Sequence, residues 1–460
     1  MALPLVLGRE AAEPEQQQSP VFSGHQPVAA SAPVHDPHPR TPDRTGHSMS
    51  GPYLRMLPPS ASPLRPADIA AGIRAWMSGQ GAQSLRCEVK RKFGVRHVFF
   101  ATSGRAGLSA SLRAMRTLCP QRDEVLLPAF TSFSVPSAVV NAGLKVGLYD
   151  VSSRTLAPDM VSLEKALNSK TLCVVACHLF GYPLVLEPLR ELCRVHGAFL
   201  LDDAAQAMGA RAGTELAGTM GDAGLFSLSR GKNITAVDGG IVLTDREDLA
   251  EAFGAMPALF AASGRIRTAR NLALALALMV MLHPRAYWLP ASLPFLGIGR
   301  SVFDPDFSLE GLDALRIGMA RSVFDRLDAL NEGRRRTAVS LREALREAPG
   351  VRVIQAADGT HPVYLRLPVL PVSGTWPGDF ASRAKALGVI RSYPLALHHI
   401  PKLARFLTSA GEYPTAEMLA DNLLTLPTHG HVRDDDIRAI ARIFGELPLE
   451  KYAGFKEVAA

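Results

Sequence analysis

From about residue 66 the chain alternates short apolar runs with amphipathic stretches. "ADIAAGIRAWMSG" and "LRCEVKRKFGV" place apolar residues at helical spacing. "HVFFATSG" is an apolar run ending in a glycine turn, and "RAGLSASLRAMRTL" returns to the helical period. The alternation continues. "EVLLPAF", "KVGLYDV", "TLCVVACHLFG", "AFLLDDA", "DAGLFSLS" and "GGIVLTD" read as strands. "VPSAVVNAG", "VSLEKALNS" and "LEPLRELCRVHG" read as helices between the first four of them. Apolar runs without polar alternation suit strands buried on both faces, and intervening helices suit parallel pairing. The pattern predicts an α/β fold, a mostly parallel sheet sandwiched by helices.

The texture changes twice more. Residues 308–347 read as a long helical stretch with a polar face. Beyond about 351, "VYLRLPVL" alternates like a strand, while "FASRAKALGV" and "DDDIRAIARIFGEL" read as helices, so a smaller α+β unit closes the chain. This predicts a disordered tail over 1–60, a large domain over 61–345 and a small C-terminal domain over 346–460. The tail is rich in Pro, Ser, Gln and His and lacks periodicity. Its His25, His35, His38 and His47 are irregularly spaced and read as solvated rather than metal-binding. Segment 265–304 departs from the pattern. "NLALALALMVML" carries no charge over twelve residues, well short of the roughly 20 a bilayer span needs. A core helix is the first expectation. An interfacial helix, with Arg265, Arg267 and Arg270 before it and Trp288 after it, competes, as does a protein–protein surface.

Composition narrows the function. The chain has 460 residues, 47% of them hydrophobic, with a formal charge of +7 spread without a basic stripe, so nucleic acid is not expected as a partner. Anionic small molecules or an acidic membrane surface suit that balance. Five cysteines with no C-x2-C pair argue against a disulfide framework or a zinc site and for free thiols in a reducing compartment. The N-terminus lacks the basic and apolar regions of a secretory signal.

Candidate chemistry starts at "LLDDAAQAMGA". Asp203 would sit at the carboxyl end of a strand, where ligands gather in open α/β sheets. A carboxylate there either caps a helix over "AAQAMGA" or pairs with something positive. Lys232 in "FSLSRGKNITAVDGG" is a single amine in a Ser/Gly-rich turn, five residues after Ser227. Amine, acid and hydroxyl on one strand-end side are what pyridoxal 5′-phosphate requires: an amine for its aldehyde, an acid for its ring nitrogen, donors for its phosphate. "ATSGRAGL" adds a strand-to-helix turn with Ser103, Gly104 and Arg105, whose free N–H groups suit a phosphate. Phe133 in "PAFTSFSVPSA" is either a core residue or a ring stacked on the pyridine.

These motifs, in this order, resemble the DegT–StrS family of sugar aminotransferases, fold type I pyridoxal-phosphate enzymes. The resemblance runs from about 66 to 445. It rests on "DEVLLPAFTSFSVPSAVVNAGLKVGLYDV", "VVACHLFGYP", "LLDDAAQAMGA", "GTMGDAGLFSLSRGKNITAVDGGIVLTD", "RSYPLALHH" and "LLTLPTHGHVRDDDIRAI". It implies Lys232 and Asp203 as catalytic residues. Gln206 would bond the ring's phenolic oxygen, and Ser227, Ser103, Gly104 and Arg105 would hold the phosphate. Phe133 would lie at or beside the ring-stacking position, and His398 near the substrate sugar. No metal is expected. The implied reaction moves an amino group, from glutamate, to a keto-sugar, nucleotide-linked, for surface polysaccharide or glycoconjugate synthesis. The implied enzyme is a cytoplasmic homodimer, peripheral to the membrane if 265–304 touches one. A non-sugar or lipid-linked acceptor, or a low-activity scaffold, stay open as alternatives. Arg105 stands where the family has threonine, "VDGG" replaces Gly-Glu-Gly-Gly, and the family's Asn-Tyr-Arg-like substrate segment is not recognisable before the long helix.

Overall fold

The computed structural model describes residues 55–260, 264–293, 302–372, 374–408 and 411–447. By contact the chain divides into 1–52 and 53–460, and the first unit, with the four tail histidines, lies outside the described residues.

The described strands are β1 (His97–Ala101), β2 (Glu124–Pro128), β3 (Lys145–Tyr149), β4 (Thr171–Cys177), β5 (Phe199–Asp203), β6 (Arg211–Ala212), β7 (Glu215–Leu216), β8 (Ala223–Ser227), β9 (Gly240–Thr244), β10 (Val351–Val353), β11 (Thr360–His361), β12 (Arg366–Pro371), β13 (Ile390–Arg391) and β14 (Leu424–Pro427). The helices are α1 (Pro66–Ser78), α2 (Ala82–Phe93), α3 (Gly104–Leu118), α4 (Ser134–Asn141), α5 (Met160–Ala166), α6 (Glu187–His196), α7 (Glu247–Gly254), α8 (Arg265–Met281), α9 (Trp288–Ala291), α10 (Ala314–Phe324), α11 (Leu327–Ala344), α12 (Phe380–Ala384), α13 (Pro414–Asn422) and α14 (Asp434–Gly445).

Seven strands form the main sheet in the order β1-β9-β8-β5-β4-β2-β3. β3, β2, β4, β5 and β8 pair in parallel, and β9 pairs antiparallel with both β8 and β1. The sheet is thus mostly parallel, as the apolar runs require. β2, β4, β5, β8 and β9 are buried along their whole length, which is why their sequences carry no polar alternation. α3 lies against β1, β8 and β9, α6 against β5, and α4 and α5 against β3. α1 crosses α10 closely. A Cβ on Gly72 would stand 2.6 Å from Met319 Cγ and one on Gly318 2.5 Å from Ala75 Cβ, so both glycines are dictated by that approach.

A second, antiparallel sheet, β10-β12-β14-β13, is backed by α11 and α14 around a separate core that includes Leu341, Phe380, Leu426, Ile440 and Phe444. The polar-faced stretch 308–347 is two helices, α10 and α11, broken at Asp325–Arg326.

Residues 55–60 correct the expected tail. Leu57 is buried, with its N–H donating to the Ala386 carbonyl. Arg55 binds Asp436 at 2.7 Å, and the Ser60 hydroxyl donates to the Gly231 carbonyl at 2.7 Å. A segment with a buried leucine and long-range polar contacts is part of the fold, whatever its composition.

Candidate active site

Four strands of the main sheet deliver side chains to one cavity of about 520 Å³ at their carboxyl ends. β5 ends at Asp203, β8 at Ser227, β4 at Cys177, and the turn after β2 brings Thr131 and Ser132. Lys232 reaches the same cavity from the turn after β8, and Ser103, Gly104 and Arg105 from the start of α3. This is where an open α/β sheet collects ligands.

The two carboxylates at the end of β5 are divided by the strand's alternation. Asp202 is wholly buried and spends both oxygens on protein. Oδ1 meets His178 Nε2 at 2.6 Å, and Oδ2 accepts from the Gly218 and Met220 N–H groups at 2.8 and 2.9 Å. The Leu184 N–H donates to His178 Nδ1 at 2.8 Å, so the ring proton is on Nε2, facing Asp202. Asp203 faces the cavity. Its Oδ1 accepts from the Ala205 N–H at 3.0 Å. Residues 204–210 form turns rather than a helix, so Asp203 is not a helix cap. Burial pushes its carboxyl up, with the Ala205 N–H and the Lys232 amine pulling it back. An acid held partly against its own ionisation is set to gain from a cation.

Lys232 is the complementary case. Burial lowers its amine from 10.5 to about 8, and Asp203 opposes that fall. Its backbone is fixed from behind. Arg334, buried and paired with no carboxylate among the described residues, donates to the Asn233 and Lys232 carbonyls at 2.8 and 3.4 Å, to the Ser62 hydroxyl at 2.9 Å and to Asn331 Oδ1 at 3.1 Å. The Ser62 hydroxyl itself donates to the Lys232 carbonyl.

The opposite wall suits a phosphate. The Ser103 hydroxyl caps α3 by accepting from the Ala106 N–H at 3.2 Å, which leaves the Gly104 and Arg105 N–H groups without intrahelical acceptors. A Cβ on Gly104 would stand 3.0 Å from Ser227 Oγ, so glycine lets the helix terminus close on that serine. Ser227 and Ser229 hydroxyls lie 3.1 Å apart. Arg105 lines the cavity while bonding Asp304 at 3.3 Å and covering the Phe307 ring at 4.7 Å. Arg230 adds a second guanidinium to the lining. Thr131 Oγ1 is buried at the wall without a hydrogen-bond partner among the described residues, the Cys177 thiol being its polar neighbour. An orphaned hydroxyl beside an acid, an amine and an anion-binding wall fits pyridoxal 5′-phosphate.

Lys232, Asp203, Gln206, Ser227, Ser103, Gly104 and Arg105 therefore share one cavity. Gln206 is tied to protein there: its Oε1 accepts from the Phe180 N–H at 3.2 Å and its Nε2 donates to the Tyr393 hydroxyl at 2.9 Å. Phe133 and His398 do not themselves line that cavity. Phe133 is buried in the main core, and its neighbours Ser132 and Ser134 face the cavity instead. No described aromatic residue other than His178 lines it. His398 does not line the cavity. Its Nε2 meets Glu417 Oε1 at 2.8 Å, and His399 meets the same oxygen at 3.3 Å. Sequence reasoning missed Thr131, Arg230 and Asp238. The "RG" preceding Lys232 and the "DGG" following it were the available signals.

A model of the DegT/DnrJ/EryC1/StrS aminotransferase family matches residues 68–273. A UDP-N-acetyl-3-dehydro-alpha-D-glucosamine 3-aminotransferase of Acidithiobacillus ferrooxidans is 27% identical over 370 residues, 80% of this chain and 89% of that protein. A GDP-perosamine synthase of Vibrio cholerae is 29% identical over 174 residues, 37% of this chain and 47% of that protein. The crystal structure of the sugar aminotransferase CalS13 from Micromonospora echinospora superposes with a TM-score of 0.68 at 21% identity, covering 85% of this chain and 99% of that one, a likeness of fold.

Proposed function

Through residues 68–273 the chain is a member of the DegT/DnrJ/EryC1/StrS aminotransferase family, and from that premise we propose that it transfers an amino group from glutamate to a keto-sugar carried on a nucleotide. The observation that carries the proposal is the convergence of Lys232, Asp203 and the α3 terminus on one cavity. When bound, pyridoxal 5′-phosphate supplies an aldehyde that accepts the amino nitrogen and a ring that withdraws electron density from the carbon losing its proton. Lys232 would hold the aldehyde carbon and, once released, carry that proton on Nζ. An amine lowered to about 8 is neutral often enough at physiological pH to do both. Asp203 would face the ring nitrogen and keep it protonated, its own burial being relieved by that charge. Ser227, Gly104 and the helix terminus would bind the phosphate, with Arg105 and Arg230 balancing its charge.

Surface polysaccharide or glycoconjugate synthesis is the corresponding role. The Acidithiobacillus ferrooxidans relative, named for a UDP-linked amino sugar, supports a nucleotide-sugar acceptor. The reading includes a homodimer and a reducing, cytoplasmic setting, which the five free cysteines suit. It also allows peripheral contact with a membrane face through 265–304. Purified protein is expected to absorb near about 410–430 nm and to lose that band on glutamate addition. A panel of keto-sugar nucleotides, with a sugar-free keto acid as control, would then restore it. Lys232→Ala should abolish the band. A band retained in that variant, or restored by no keto-sugar, would sink the proposal.

A further inference from the structure

α8 is apolar on both sides: Leu272, Leu274, Leu278 and Met279 pack half-buried against the main core, and the outward side is apolar as well. It buries Thr268, Asn271 and Ala275, and the Asn271 amide donates to Asp313 Oδ2 at 3.1 Å. The opposite stripe, at spacings of three and four, carries Ile266 at 89% exposure, Leu276 at 46%, Val280 at 59% and Met281 at 36%, with the small Ala269 and Ala273 between them. Trp288 (47%) and Leu289 (43%) extend the apolar face beyond the helix, and the indole Nε1 donates to the Arg285 carbonyl at 3.1 Å, tying the ring to its own turn. A surface helix in water keeps its outward face polar.

The helix and its flanking turns carry charge of one sign. Between Glu251 and Asp304 the chain has no acidic residue. Arg265, Arg270 and Arg285 are exposed and make no ion pair among the described residues, whereas Arg267 is taken by Glu310. An apolar stripe of 17 helical residues, about 25 Å long, edged by unpaired arginines and followed by an exposed Trp, matches a helix lying in a lipid interface. No described helix is long and apolar enough to cross a membrane, so the contact is along the surface. A two-fold interface between copies would lay this acid-free face against itself and bring its arginines together.

From these observations we infer that the outward face of α8 and α9 docks on an anionic lipid surface. The test uses the full-length holoenzyme with vesicles of phosphatidylcholine alone or with about 30% phosphatidylglycerol. The chain should co-sediment with the anionic vesicles only, and binding should weaken as salt rises. Each arginine neutralisation, Arg265→Gln or Arg270→Gln, should cost roughly fivefold in partitioning. Ile266→Ser/Leu276→Ser/Val280→Ser should cost at least tenfold while keeping the cofactor band and turnover in solution. Failure of the wild type to sediment would overturn the inference. So would sedimentation unchanged in the triple variant. A triple variant that turns a dimer into a monomer by light scattering, with no lipid binding by the wild type, would assign the face to a second copy and overturn it equally.

Discussion

The lowered Lys232 amine predicts how fast the empty site captures its cofactor. At an ordinary 10.5 an amine is neutral about once in 3,000 at pH 7, and at about 8 it is neutral about once in ten, roughly a 300-fold gain in reactive form. Burial is the cause and Asp203 is the largest opposing influence. The capture rate of pyridoxal 5′-phosphate by stripped protein should therefore rise with pH through a midpoint near 8. Stopped-flow absorbance would follow it, divided by the rate of a simple alkylamine to remove the reagent's own titration. Asp203→Asn removes the opposing charge, so its midpoint should move to lower pH. A midpoint near 10, or one that stays put in Asp203→Asn, would refute the reasoning, because the first denies the desolvation and the second denies the coupling.

The same shift has a stability consequence. A lysine whose folded value is lowered binds fewer protons folded than unfolded between about 8 and 10.5, so its contribution to the stability of the stripped protein should rise with pH across that window. Urea unfolding of wild type against Lys232→Met at a series of pH values reads the difference, and parallel profiles would contradict it. Asp203→Asn should lower turnover by at least a hundredfold while leaving phosphate-end binding nearly intact; a tenfold loss or less would deny its ring-nitrogen role. Arg334→Met leaves the Lys232 and Asn233 carbonyls and the Ser62 hydroxyl short of a donor, a cost of about 2–4 kcal/mol in unfolding that removal of a buried, carboxylate-free charge partly offsets. Slower cofactor capture should accompany it, and wild-type values in both would show that the arginine does not position the lysine loop. Phe133→Leu, a core swap, should cost less than about 1.5 kcal/mol and leave cofactor affinity unchanged, whereas a tenfold affinity loss would return the ring to the site.

The sheet was legible because each buried strand shows itself as an unbroken apolar run, and the turn chemistry at strand ends is local. Asp203, Lys232 and Ser227 fall within one short reach of chain, so their convergence could be argued from β5 and β8 alone. Phe133 was not legible. In the turn after β2 a rotation of one residue decides whether Ser132 or Phe133 meets the cavity, and nothing in the local pattern sets it. The partner of His398 was hidden for a longer-range reason: Glu417, on α13, takes its imidazole, and only tertiary packing brings the two together. The orientation of α8 was hidden because Leu and Ala alternate around it, leaving no face for periodicity to choose. Asn271, held by Asp313, supplies the anchor. The fixing of the lysine loop was equally invisible, since Ser62 lies in a Pro/Ser-rich stretch and Arg334 in a polar run that reads as solvated.

The paired acids Asp202 and Asp203 show how one strand end serves structure and chemistry at once. Asp202 has its oxygens fully occupied by an imidazole N–H and two backbone N–H groups, so its charge is met by fixed donors and the turn over 218–220 is pinned to β5. Asp203, one residue on and facing the other way, receives one backbone N–H, a long contact from the Cys177 thiol at 3.8 Å and the distant pull of Lys232, and is left needing a cation. The difference follows from the period of two along a strand, not from any difference between the residues. Exchanging their roles would require a register slip of one residue, which would also bury Lys232's partner and expose the one His178 needs. The site is therefore as rigid as the register of β5 between β4 and β8, and Asp202→Asn should disturb the cofactor band only through a loss of fold stability, while Asp203→Asn should disturb the band and leave stability nearly unchanged. Unfolding and absorbance measured on the same two proteins separate these effects, and a reversed pattern would mean that the acids have been assigned to the wrong faces.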